Sequence, residues 1–333
     1  MATELAEPLL PKGSMRNMAS IFMGKTMLEE KEPFELKTGE TKPFLTLDQQ
    51  VALLKSRGLI ISNEENAKDI LRRTNYYRLS GYALSIKTGN KFHDGESFDH
   101  LYELYRFDDA FRKIILSYSL NVEIAFRSYI AYEHSKKYGP LGYMDENNFD
   151  NAYRHQIFME KLTSDVARSD DLFVHHHKKD RGGVFPIWVV IECSSFGEVS
   201  KMFKNLRTDD RMLISKQNYN VSREYVENWL QAIVLGRNIA AHGGRFYNRL
   251  LKSVPIKLPA KLKPFISPDS VFALVYAIHT LQPTKALADR MIADLLDLMT
   301  RYPGADKEQL GFPEDWVKIL RKYETKYEFH YQG

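Results

Sequence analysis

Between Ser97 and about Lys137, Leu101, Leu104, Tyr105, Phe111, Ile114, Ile115, Tyr118, Val122, Ile124, Phe126 and Ile130 recur at helical spacing. The run predicts one bent helix or two in succession, closed by Gly139-Pro140. A segment of this length commits the chain to helix-on-helix packing. Its neighbours agree. Thr46-x-x-Gln49 and Ser62-x-x-Glu65 read as capping boxes that open helices over about 46–57 and 63–73, with Gly58 closing the first. Further helices are expected near 151–168, 186–205, 209–217, 222–242, 269–281, 284–301 and 313–324. A Pro- and Lys-rich loop is expected over 252–268. No strand ladder and no internal repeat is evident, so the fold class is all-α.

The 333 residues suffice for a large core, and 44% hydrophobic with 27% charged residues is ordinary for a globular protein. The formal net charge of +4 permits nucleic-acid binding without demanding it. Cys193 is the single cysteine and sits in an apolar run, which excludes a disulfide framework and a cysteine metal cluster. No apolar stretch reaches the length of a membrane span, and the first residues hold acidic groups and no signal-peptide core. The expected setting is cytoplasmic and reducing, with no membrane partner. Residues 1–43 lack sustained periodicity and read as a partly disordered arm, and Pro11 through Met15 resemble a junction segment.

The segment from Gly236 to Gly244 holds the chemistry. A helix expected from Ser222 carries an apolar stripe of Val226, Trp229, Leu230 and Ile233, and extending the stripe by four residues lands on Arg237 and then Ala241. A charge on a buried seam is costly unless paired. Asn238 and His242 lie four apart on the neighbouring face. Gly236 inside a helix costs roughly 1 kcal/mol against alanine, a sign that something approaches the backbone there. An arginine fork suits a phosphate, and a histidine moves protons near neutral pH. Spacing alone is weak, because Arg127…His134 and Arg168…His175 satisfy it too. A core ion pair at Arg237 with a capping histidine would also explain the residues. The conflict between stripe and charge favours chemistry on a phosphodiester, with RNA as substrate.

Other candidates divide between function and structure. Glu123 and Arg127 are an i,i+4 pair that fits a structural salt bridge as well as a site. Arg72, Arg73, Tyr77 and Arg78 mix arginine with tyrosine, as base stacking with phosphate contact requires, although tyrosines on a helical turn are more often core. Lys252, Lys257, Lys261 and Lys263 either track an RNA backbone or form a solvated basic loop. His175-His176-His177 is too closely spaced for all three to face one ion, and reads as a solvated loop rather than a metal site.

Five blocks carry a resemblance: Leu53–Leu59, Asn75-Tyr76-Tyr77-Arg78-Leu79-Ser80-Gly81-Tyr82, Leu104–Asp108, Glu123–Arg127, and Arg237 through Arg249. In this order they closely resemble the abortive-infection family typified by the bacterial AbiD and AbiF phage-resistance proteins, over about residues 43–250. That family looks like a branch of the HEPN superfamily, helical domains whose Arg-x4-6-His motif cleaves RNA without metal. The resemblance implies a HEPN-like helical bundle at 44–250, with the arm before it and a basic loop plus C-terminal helical extension at 251–333. It marks Arg237, Asn238 and His242 as the ribonuclease motif, Glu123 and Arg127 as a charged pair lining the site, and Arg245, Asn248 and Arg249 as RNA contacts within the last block. It further implies a homodimer with a composite site, no cofactor and no metal, and an antitoxin that is either a noncoding RNA or a protein. Two alternatives remain at this point: an RNA-binding dimer that does not cut, and a pure interaction protein in which Arg237 and Asn238 stabilise helix pairing.

Overall fold

The computed structural model describes residues 38, 39 and 41–322. The chain divides into two units, Met1–Phe44 and Leu45–Gly333, and every element below lies in the second. The arm expected at 1–43 falls almost wholly outside the described residues.

Thirteen α-helices form the described part, beside a two-stranded hairpin and short 3-10 turns. In chain order they are α1 Leu47–Ser56, α2 Glu64–Thr74, α3 Tyr76–Ser80, α4 Phe98–Tyr138, α5 Ala152–Arg168, α6 Leu172–Asp180, α7 Ile187–Val190, α8 Phe196–Asn205, α9 Thr208–Tyr219, α10 Arg223–Ala241, α11 Val271–Thr280, α12 Lys285–Arg301 and α13 Trp316–Lys322. The hairpin pairs Lys87–Thr88 with Lys91–Phe92. The chain is all-α.

The long periodic run is one helix. α4 spans 41 residues without a proline or glycine to break it, and Gly139 with φ of 79° ends it. At 1.5 Å per residue it is about 60 Å long. α7 to α12 all pack against it. Phe98, Leu101, Leu104, Phe107, Phe111, Ile115, Val122, Phe126 and Ile130 are buried along it. α11 is buried at all ten positions, as expected of a helix apolar on every side. It lies against α4, α10, α12 and α13, so the C-terminal helices share the core of the earlier ones.

Four local expectations need correction. The cap of α2 is Asn63, whose side chain accepts from the Asn66 N–H, and not Ser62. The helix expected at 186–205 is interrupted after Cys193, and Ser195 caps a new helix by accepting from the Glu198 N–H. His175, His176 and His177 lie on α6 and not in a loop, with His176 paired to Asp180 one turn on. The final helix begins at Trp316 and not near 313.

Candidate functional site

α10 starts after Ser222 and buries Val226, Trp229, Leu230 and Ile233 completely. The buried face then continues through Gly236 and Ala240, and not through Arg237 and Ala241. A helix of 3.6 residues per turn offers either 236 or 237 after 233, and α11 decides between them. A Cβ on Gly236 would stand 2.4 Å from Leu274 Cδ2, so the two helices touch where α10 has no side chain. Arg237 is thereby moved to the edge of the buried arc, where it is partly exposed. The core ion pair considered for it does not form: its hydrogen bond runs from Nη1 to Asn238 Oδ1 at 3.3 Å, and no carboxylate partner is present among the described residues.

His242 is the C-cap residue of α10, one position beyond the helix, and its side chain is exposed. The turn after it is a Schellman motif. Gly243 N–H donates to the Ala240 carbonyl at 3.0 Å and Gly244 N–H to the Ile239 carbonyl at 2.7 Å. Gly243 has φ of +65°, which favours glycine. A Cβ on Gly244 would meet Ile239 at 2.9 Å, so the glycine pair is required by geometry on both counts.

Two outside groups seat this turn. Arg78 of α3 donates from Nη1 to the Gly243 carbonyl at 2.6 Å. Asp108 of α4, fully buried, accepts from the backbone N–H groups of Phe246 and Tyr247 at 3.1 and 2.9 Å. The same carboxylate accepts from Tyr82 Oη at 2.7 Å and Arg112 Nη1 at 2.6 Å. Burial and the neighbouring carboxylate push the Tyr82 hydroxyl well above its ordinary range, which keeps it a donor. Three of the sequence blocks, around Tyr82, Asp108 and Phe246-Tyr247, thus meet at one carboxylate. Asp108 was not among the expected site residues, although an acid at a core position of a periodic helix marks it.

Beside the turn lies an open cleft of about 650 Å³, lined by Asn75, Tyr77, Arg78, Ser80, Gly81, Tyr82, Leu84, Lys87, Gly243 and Arg245. Of the expected RNA contacts it gathers Tyr77, Arg78 and Arg245, and it adds Lys87. No carboxylate lines it, and none of its three cations has an acidic partner among the described residues. Arg245 is held by the Tyr247 and Asn248 carbonyls through Nη1.

The remaining candidates do not line the cleft, although Asn248 and Arg249 adjoin it through Arg245, which donates to the Asn248 carbonyl and whose own carbonyl accepts from Arg249 Nη1 at 3.3 Å. Arg72 is exposed, and Arg73 pairs with Asp69 at 2.8 Å. Asn248 and Arg249 are exposed, Asn248 with φ of 53°. Lys252, Lys257, Lys261 and Lys263 are all exposed. Their loop is fastened to the other end of α10: Asn228 Oδ1 accepts from Lys257 N–H at 2.6 Å, and Trp229 Nε1 donates to the Lys257 carbonyl at 2.7 Å. Asn228 precedes His242 by fourteen residues, roughly 21 Å along the axis. Glu123 and Arg127 are joined at 2.6 Å, and Arg127 also donates to the Ser194 carbonyl at 2.7 Å. No hydrogen bond or ion pair among the described residues links them to Arg237, Asn238 or His242. No cluster of three or more His, Cys, Asp or Glu able to hold a metal ion occurs among the described residues. No helix there is long and apolar enough to cross a membrane.

Residues 69–248 match the family model described as Abi-like protein. No curated protein and no solved structure matches the chain.

Proposed function

The chain belongs to the Abi-like protein family, and on that footing we propose that it is a HEPN-type endoribonuclease acting as a toxin in abortive-infection phage defence. The observation that carries the reading is the end of α10, where Arg237, Asn238 and His242 have no carboxylate partner among the described residues and the turn after them, at Gly243, reaches a cleft lined only by basic and neutral groups. Arg112 and Arg211, by contrast, are buried and held in ion pairs with carboxylates.

In the proposed reaction a base removes the proton from an RNA 2′-hydroxyl, and the oxygen attacks the adjacent phosphorus. The bond to the 5′-oxygen breaks, and an acid protonates the departing oxygen. The products are a 2′,3′-cyclic phosphate and a 5′-hydroxyl, formed without metal. His242 performs the proton transfers. Arg237 holds the phosphate and stabilises the charge that grows on its oxygens. Asn238, one turn before the histidine, orients the imidazole or the phosphate. The reaction needs both a base and an acid, and one chain offers a single histidine at the motif. A homodimer that faces two motifs supplies the second, with Glu123 and Arg127 as supporting charges. RNA is then the substrate, and restraint of such a toxin falls to an RNA or protein antitoxin.

A non-cleaving RNA-binding dimer would use the same cleft but would tolerate loss of His242. Purified wild-type protein and His242→Ala, each incubated with total RNA, separate the two. The nuclease reading expects cleavage by the wild type alone, with the variant folded and still retaining RNA. Equal cleavage by both proteins would remove His242 from the mechanism.

A further inference from the structure

We propose that the cleft between α3 and the turn after α10 is a nucleotide subsite that takes one unpaired nucleotide of the RNA beside the scissile phosphate, stacking its base on Tyr77 and holding its phosphate among Arg78, Lys87 and Arg245. The inference rests on the ribonuclease reading for the position of the cut, but not for the binding itself.

The cleft has the two parts such a ligand needs. Tyr77 is 85% exposed, and its ring takes part in no aromatic pair and no cation–π contact among the described residues. Tyr82, which also lines the cleft, instead lies edge-on to Tyr105. An aromatic ring held out in solvent on a rigid element is a platform for a base. Rigidity comes from the local backbone. Asn75, with φ of 69°, turns the chain between α2 and α3 and caps α3 by accepting from the Tyr77 N–H at 2.9 Å.

The cationic part lines the same cleft as Tyr77. Arg78 uses Nη1 on the Gly243 carbonyl, and Arg245 uses Nη1 on two carbonyls. Each guanidinium therefore keeps donors for a phosphate while already fixed in place. Lys87 adds a third charge. Gly81 lets Arg245 lie close, since a Cβ there would stand 3.2 Å from Arg245 Nε.

Gly243 follows His242 directly, so a nucleotide seated here is adjacent to the motif. A paired base has both faces covered by its neighbours in the helix, so only an unpaired one can lie on Tyr77. The subsite thereby selects single-stranded segments at the cut.

The test uses the full chain carrying His242→Ala and an uncleavable 2′-O-methyl oligonucleotide with a fluorescent label, read by anisotropy. Tyr77→Ala is expected to weaken binding about tenfold and Tyr77→Phe to leave it near the parent. Lys87→Gln should lower affinity and reduce the slope of log affinity against log salt by about one. A fully paired oligonucleotide should bind more weakly than the single strand. Unchanged affinity in both Tyr77→Ala and Lys87→Gln, or duplex bound as tightly as single strand, would overturn the subsite. Tyr77-dependent binding in a protein that cuts no RNA would sink the nuclease reading and leave the subsite standing. Cleavage that depends on His242 with a KM unmoved by Tyr77→Ala would do the reverse.

Discussion

Arg78 donates to the Gly243 carbonyl at 2.6 Å across 165 residues of sequence, and this bond ties α3 to the turn that follows His242. Under the proposed mechanism Arg78 has two roles: it contacts phosphate in the subsite, and through this bond it positions His242. Arg78→Ala is expected to lower kcat for RNA cleavage on the order of 10²-fold, as a displaced catalytic group does. Global stability should fall by no more than about 3 kcal/mol, the upper end for one hydrogen bond to a charged group. Arg78→Lys, with a single point charge in place of the fork, should recover phosphate affinity in KM but not kcat. Steady-state kinetics beside urea unfolding read both.

Asp108 seats the other side of the same turn. Its carboxylate is buried, pairs with Arg112 and accepts from two backbone N–H groups. Asp108→Asn removes the buried carboxylate of Arg112, leaving that guanidinium only the half-exposed Asp109 at 2.9 Å, and is expected to cost about 3 kcal/mol in denaturant unfolding. A loss below about 1 kcal/mol would mean that the carboxylate does not hold the turn.

Gly236 tests the crossing that moves Arg237 off the core. Gly236→Ala places a methyl against Leu274, and overpacking of this kind costs about 1–3 kcal/mol. Leu274→Ala alone is expected to cost about 2–5 kcal/mol. The double variant should be clearly more stable than the sum of the two losses, because one change makes room for the other. Additive losses would contradict the contact.

Burial sets a pH limit through His279. Its side chain is 1% exposed, neither ring nitrogen has a hydrogen-bond partner among the described residues, and burial pushes its pKa down to about 4, with Asp289 opposing and Lys285 reinforcing the shift. A histidine depressed in the folded state takes up its proton more readily when unfolded. Stability is therefore retained above pH 6.5 and lost as pH falls from about 6.5 toward 4, by about 3 kcal/mol for this group. Buried His134 is shifted in the same direction by the same cause. Urea midpoints at pH 7.5 and 5.0 for wild type and His279→Gln check this, and the variant should lose less on acidification.

The helical plan was readable because periodicity reports burial, and α4, α10 and α12 each bury one face. What escaped were features set by partners distant in sequence. Val226 to Ile233 did mark the buried face of α10, but only α11 at Leu274 determines that the face turns toward Gly236 instead of Arg237. Gly236 did signal a close approach. The break before α8 carried its own mark in Ser195-x-x-Glu198, hidden inside an apolar run. The rule that flagged Arg237, a charge where the pattern wants a hydrophobe, applies more cleanly to Asp108 and Arg112. Both of those are buried, whereas Arg237 is partly exposed. The cleft was half visible, in Tyr77, Arg78 and Arg245. Lys87 joins it through a hairpin that no pattern announced.

The most direct test of the central claim offers wild-type protein, in EDTA, an oligodeoxynucleotide that contains a single ribonucleotide. A nuclease that uses the 2′-hydroxyl cuts on the 3′ side of that residue alone, leaving a 2′,3′-cyclic phosphate and a 5′-hydroxyl, and Arg237→Ala and His242→Ala abolish the cut. Cleavage elsewhere in the DNA, or cutting at the ribonucleotide that survives in both variants, would contradict the account.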